Sequence, residues 1–262
     1  MLTVLDWILL AVAASLIGFA KTAVGGVAGL AIAVFAVVLP ARESTGAVLT
    51  LLLVGDLIAV RLYRHHADWS MLLRLLPSVL PGLALGAWFV AVADQSLMRG
   101  GIGAALLAMA LLQLWSRRRA RVRDRQEPRE PQGPRERPRG RIRALAGTAA
   151  PFSVGVIAGF ATMTANAAGP VMTMYLLMAG MPVLGLLGTG AWFFFLVNLA
   201  KVPFSAGLQL IDGATLLLDL ALVPPLLAGA VVGARVASRI PRRRFEDITL
   251  VLTALAAGAL LV

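Results

Sequence analysis

The sequence predicts an all-α polytopic membrane protein built as two inverted repeats. Three observations lead there: long apolar blocks nearly free of charge, one Arg/Pro-rich segment that divides them, and matching Gly and Pro residues on its two sides. Hydrophobic residues make up 59% of the 262 residues and charged residues 14%, with a mean hydropathy of +0.85. A soluble domain of this length needs more polar surface to cover one core. There is no Cys, which removes disulfides, thiolate chemistry and Cys-based metal sites. The first residues, Met1-Leu2-Thr3-Val4-Leu5-Asp6, carry an acid where a signal peptide has a basic stretch, so they read as the start of a retained helix.

The first two blocks, near 4–20 and 23–39, are short, Gly-rich and closely joined, and read as a helical hairpin. Blocks 43–60, 71–92 and 97–115 follow, each near the roughly 20 residues that cross a bilayer. Together residues 1–115 form the N-terminal repeat. Residues 116–147 are a basic loop: 117–143 hold twelve Arg against four acids, +8 of the chain's +11, with Pro128, Pro131, Pro134 and Pro138 among them. Such a segment buries too little apolar surface to fold, and its charge marks it as a disordered cytoplasmic loop beside anionic headgroups. Nucleic-acid recognition is not expected. Residues 148–262 repeat the first plan, with a hairpin at 148–166 and 168–181 and spans at 183–201, 213–235 and 245–262.

The halves also match residue by residue. Gly18-Phe19-Ala20 corresponds to Gly159-Phe160-Ala161 at a spacing of 141, and Pro40 to Pro182 at 142. Pro77, Gly82, Gly86 and Ala87 correspond to Pro224, Gly229, Gly233 and Ala234 at 147. Gly and Ala are common here, so the order and slow drift of these offsets, rather than any single match, indicate a duplication.

Charge sets the orientation. With 116–147 cytoplasmic, Asp94 lies outside and the run Arg61, Arg64, His65, His66 inside, as the positive-inside rule requires. Arg235, Arg239, Arg242, Arg243 and Arg244 mark another inner loop, which puts 203–212 outside and Met181-Pro182 inside. The first hairpin then starts and ends outside and the second inside, whether each dips halfway or crosses twice. Each repeat has an odd number of full crossings, so tandem copies face opposite ways and both termini are periplasmic.

The hairpin tips carry the polar residues. Lys21, Thr22, Gly25 and Gly26 stand at the first; Thr164, Asn166, Gly169 and Pro170 stand at the second. A helix that starts inside a membrane turns free N–H groups and a positive dipole end inward, and two such ends make an anion site. The glycines have a second reading as close-packing residues, and Lys21 has one as a snorkelling lysine. Block 183–201 adds Asn198 and Lys201, with Pro203 to bend or stop the helix; Lys201 reads equally as a substrate contact or a snorkelling side chain. Asp56 aligns with Asn198 at a spacing of 142 and is a candidate for ion pairing with a lysine or for proton coupling. Trp192, Phe193, Phe194 and Phe195 read as packing residues. His65, His66 and Asp68 are too few and too divergent in direction for a metal site, and no nucleotide loop, nucleophile elbow or zinc-protease motif occurs. No catalytic residue, metal or cofactor is expected.

The chain resembles the TauE/SafE sulfite exporter family of bacterial membrane permeases. The resemblance rests on the 18–29 stretch closing at Pro40, its partner 155–182, and the Pro-x4-Gly-x3-Gly-Ala pattern of each half. It implies secondary transport, in the bacterial inner membrane, of sulfite, sulfoacetate or related organosulfur and carboxylate anions. The second tip, Thr164-Ala165-Asn166-Ala167-Ala168-Gly169, departs from the denser Gly run usual in the family, which leaves the substrate open. The expected partners are a small anion and the lipid bilayer, with a homodimer compatible. Two other readings remain: a membrane-embedded enzyme, whose only candidate groups are Asp56 and the His pair, and a non-transporting membrane scaffold.

Overall fold

The computed structural model describes residues 2–23, 28–126 and 149–236. All regular elements among them are helical. The first half contains α1 (Val4–Thr22), α2 (Ala28–Val38), α3 (Ala41–Tyr63), a short 3-10 turn (Arg64–His66), α4 (Trp69–Val92) and α5 (Gln95–Gln126). The second contains α6 (Ala149–Ala165), α7 (Gly169–Met178), α8 (Val183–Gly207) and α9 (Gly213–Val236). Six of these helices are long and apolar enough to cross a bilayer, and the chain is a multi-pass membrane protein. Gly25, Gly26 and the span expected at 245–262 lie outside the described residues, as does most of the basic loop.

The helices fall where the apolar blocks were, with two extensions. α5 continues to Gln126, well into the segment expected as loop. That stretch is free of Pro until Pro128, and Arg is among the better helix formers, so a started helix has no reason to stop at the membrane edge. α8 runs through Pro203 to Gly207 instead of stopping there. It ends at Gln209, which is in the left-handed region (φ 53°), with the Leu210 N–H returning to the Ser205 carbonyl at 2.9 Å. Asp212 opens the next helix: its carboxylate accepts the Thr215 N–H at 2.7 Å, which holds its pKa below the ordinary 3.8.

The halves interlock by exchanging their first helices. α1 packs on α9, and α6 packs on α4. The two interfaces repeat each other residue for residue. A Cβ on Gly18 would lie 1.9 Å from the Leu226 carbonyl oxygen, and one on Gly159 would lie 2.4 Å from that of Val79. A Cβ on Gly82 would meet Val156 O at 2.2 Å, and one on Gly229 would meet Ser15 O at 1.9 Å. Gly86 sits against Phe160 and Met163, and Gly233 against Phe19 and Thr22. Every one of these pairs is related by the sequence offsets of 141 and 147. The duplication seen in the sequence is therefore also a duplication of contacts, and the glycines let helix backbones approach within reach of each other.

Gly18→Ala and Gly159→Ala should each destabilise the protein by about 1–3 kcal/mol, because backbone cannot yield to the added methyl as a side-chain tip can. The two losses should be similar. Denaturation midpoints in one detergent measure them, and a neutral result at either position would break the equivalence of the two interfaces.

Candidate functional site

The polar residues meet where α3 and α8 cross, beside the ends of α1 and α6. Asp56 stands 15 residues into α3 and Asn198 15 residues into α8, about 22 Å along each helix at 1.5 Å per residue. Both are buried, and the Asn198 amide donates to Asp56 Oδ2 at 2.6 Å. The other carboxylate oxygen accepts from Lys21 Nζ at 2.5 Å. Lys21 is at the last turn of α1, and its ammonium also lies 4.9 Å from the centroid of the Phe194 ring. Its stem crosses Gly55, where a Cβ would come within 2.9 Å of Lys21 Cγ. The Lys21 side chain is only 12% exposed, so it does not snorkel.

Lys201 is fully buried and does not snorkel either. Its ammonium donates to the Thr162 carbonyl at 2.7 Å and to Asn166 Oδ1 at 2.5 Å, with Thr162 Oγ1 at 3.4 Å. It lies one turn beyond Asn198 on α8, near enough for its charge to act on both Asp56 and Lys21.

Asn166 shows why this residue type stands at the second tip. It ends α6 in the left-handed region (φ 52°), which Asn tolerates better than most residues. Its side chain then bridges the halves, with the amide nitrogen donating to Thr45 O on α3 at 3.2 Å and the oxygen held by Lys201. Gly169 begins α7 with open space where a Cβ would stand.

The other expected donors are otherwise engaged. Thr22 is buried, and its hydroxyl faces the Ala230 carbonyl at 2.9 Å and Gly18 O at 3.2 Å. Thr164 donates to Phe160 O at 2.9 Å. Short hydroxyls on helices turn back onto preceding carbonyls in this way. Three groups carry no such role on the face of the sequence: Thr45, Phe194 as a cation partner, and Tyr63, whose O–H donates to Thr22 O at 2.8 Å and holds the end of α1. Their partners lie far along the chain, so local spacing carries no signal for them. His65 and His66 are exposed in the 3-10 turn, and His65 Nε2 accepts from Arg64 Nε at 3.1 Å.

The arrangement is a water-poor junction of two ammonium groups and one carboxylate, held by residues from both halves. A protein-family model described as sulfite exporter TauE/SafE matches residues 10–260, which takes in every residue of the junction. No curated protein and no solved structure matches the chain. Across nearly its whole length, then, the chain belongs to the TauE/SafE family of membrane sulfite exporters.

Proposed function

We propose that the protein is a secondary transporter that moves small organosulfur or carboxylate anions, of the sulfite or sulfoacetate kind, out across the bacterial inner membrane. The observation that carries this reading is the Lys201 ammonium, fully buried and, among the described residues, hydrogen-bonded to neutral partners alone. Asp56, the acid of the junction, is engaged by Lys21 and Asn198. With all three groups ionised the junction carries a net +1. Burying an unpaired charge costs several kcal/mol, and a bound anion supplies the missing partner. Lys201, Lys21, Asn166 and Asn198 are the residues assigned to the substrate, with the N-terminal backbone of α7 at Gly169 adding to the positive field.

Alternating access is supported by the exchanged interfaces, which make two equivalent bundles around one central site. Contacts between the halves lie toward both ends of α3 and α8. At one end Arg42 joins the halves by donating to Val90 O on α4 at 2.9 Å and Leu208 O after α8 at 3.2 Å. At the other, the Asp68 N–H donates to Thr189 Oγ1 on α8 at 2.9 Å. The Arg clusters orient the first of these ends toward the periplasm, with both termini there and the basic loop in the cytoplasm.

Titration of the purified protein with sulfite, sulfoacetate, taurine and simple carboxylates, read by intrinsic Trp fluorescence, tests the reading. Saturable binding of the net anions is expected, with taurine weaker because its ammonium opposes Lys201. Proteoliposomes loaded with the best binder should then show counterflow. No binding across the panel would overturn the proposal.

A further inference from the structure

A second buried carboxylate lies away from the junction. Asp219, in the first half of α9, is only 5% exposed, yet belongs to a helix that crosses the membrane. One carboxylate oxygen, Oδ2, accepts from the Thr50 hydroxyl of α3; the other, Oδ1, is buried and has no hydrogen-bond partner among the described residues. α9 packs against α1 and α3. The charged groups on those elements are Asp6 and Lys21 on α1, and Arg42, Glu43, Asp56 and Arg61 on α3; Asp212 and Arg235 stand at the ends of α9 itself. None of them forms an ion pair with Asp219 among the described residues, where the one salt bridge is Lys21–Asp56. An ionised carboxylate here would have neither a cation nor a second donor, whereas a carboxylic acid needs neither.

The surroundings also provide access. A cavity of about 720 Å³ opens between the starts of α1, α3 and α9, and three acids line it: Asp6, Glu43 and Asp212. Its wall includes Ala47 and Thr215. Asp219 follows Thr215 by one helical turn and Thr50 follows Ala47 by three residues, so the Asp219–Thr50 pair lies one turn beneath the cavity wall. A mouth lined by carboxylates concentrates protons and other small cations.

We propose that Asp219 is a proton-binding residue, loaded through the acidic cavity, and that its protonation couples proton movement to the transport cycle. The cavity and the junction meet different faces of α3, with Thr50 on one and Asp56 on the other, so the helix can transmit occupancy between them. The coupling half of this rests on the transporter reading above; the proton site itself does not.

The test uses purified full-length protein without substrate. Infrared difference spectra between low and high pH should show, apart from the bands of solvated acids such as Asp6, Glu43 and Asp212, the higher-frequency carbonyl stretch of a buried, weakly hydrogen-bonded carboxylic acid. That band should vanish in Asp219→Asn, persist in Asp56→Asn, and shift in Thr50→Val, which removes the hydroxyl from the carboxyl but leaves the acid. Survival of the band in Asp219→Asn overturns the proposal. If Asp219→Asn does not fold, an unshifted band in Thr50→Val overturns it instead. Suppression of the band by sodium at constant pH would make the ligand a metal cation and also overturn it. Coupling is read separately, as anion counterflow in proteoliposomes with and without an imposed pH gradient. Wild type should respond to the gradient and Asp219→Asn should not; equal response in both overturns the coupling. An absence of anion flux in the wild type would count against the transporter reading while leaving the infrared assignment intact.

Discussion

Lys201→Met is expected to lower anion affinity by roughly ten- to a hundredfold while the protein still folds. The size follows from the loss of a charge-assisted hydrogen bond, worth about 1.5–3 kcal/mol. Folding survives because an apolar chain of similar length removes a buried charge that has no carboxylate partner among the described residues, at the cost of leaving Thr162 O and Asn166 Oδ1 without their donor. Lys21 should behave differently. Its charge is already matched by Asp56, so Lys21→Ala disturbs the acid as much as any substrate, and Lys21→Arg should keep part of the pair. Titration of the three variants in one detergent separates the two lysines. Unchanged affinity in a folded Lys201→Met protein would remove Lys201 from the site.

The helices were legible because each is an apolar run bounded by charge, Gly or Pro, and a bilayer leaves few other ways to satisfy the backbone. The exchange of α1 and α6 was half legible. The offsets of 141 and 147 pair Gly18 with Gly159 and Gly82 with Gly229, but do not show that each glycine of one half would face a helix of the other. Asp56 and Asn198 were aligned with each other from sequence; that they touch is a property of the crossing of α3 and α8. Thr22 and Thr164 illustrate the opposite case, since a hydroxyl at a hairpin tip looks available in sequence and is used by a backbone carbonyl in the fold. Asp219 gave no signal at all. One acid in an apolar block is ordinary until its hydrogen-bond partner proves to be Thr50, 169 residues away.

Asp56→Ala should be the most damaging single change at the junction, destabilising the protein by about 3–5 kcal/mol. It strands the Lys21 ammonium in a nearly dry place and leaves the Asn198 amide without its acceptor, and losing one partner of a buried pair costs more than losing both. The double change Lys21→Met with Asp56→Asn should recover most of that loss, because no charge is then orphaned and an amide oxygen remains to accept from Asn198. Denaturation midpoints for the single and double variants measure the recovery. A double variant as unstable as Asp56→Ala would show that shape, not charge pairing, is what Asp56 contributes. The recovered protein then bears on the substrate. It keeps Lys201 and the junction's net +1, so it should still bind the anion, within about tenfold of wild type. If Lys21 were instead the main anion ligand, the double variant would be stable and unable to bind, and the roles of the two lysines would have to be exchanged.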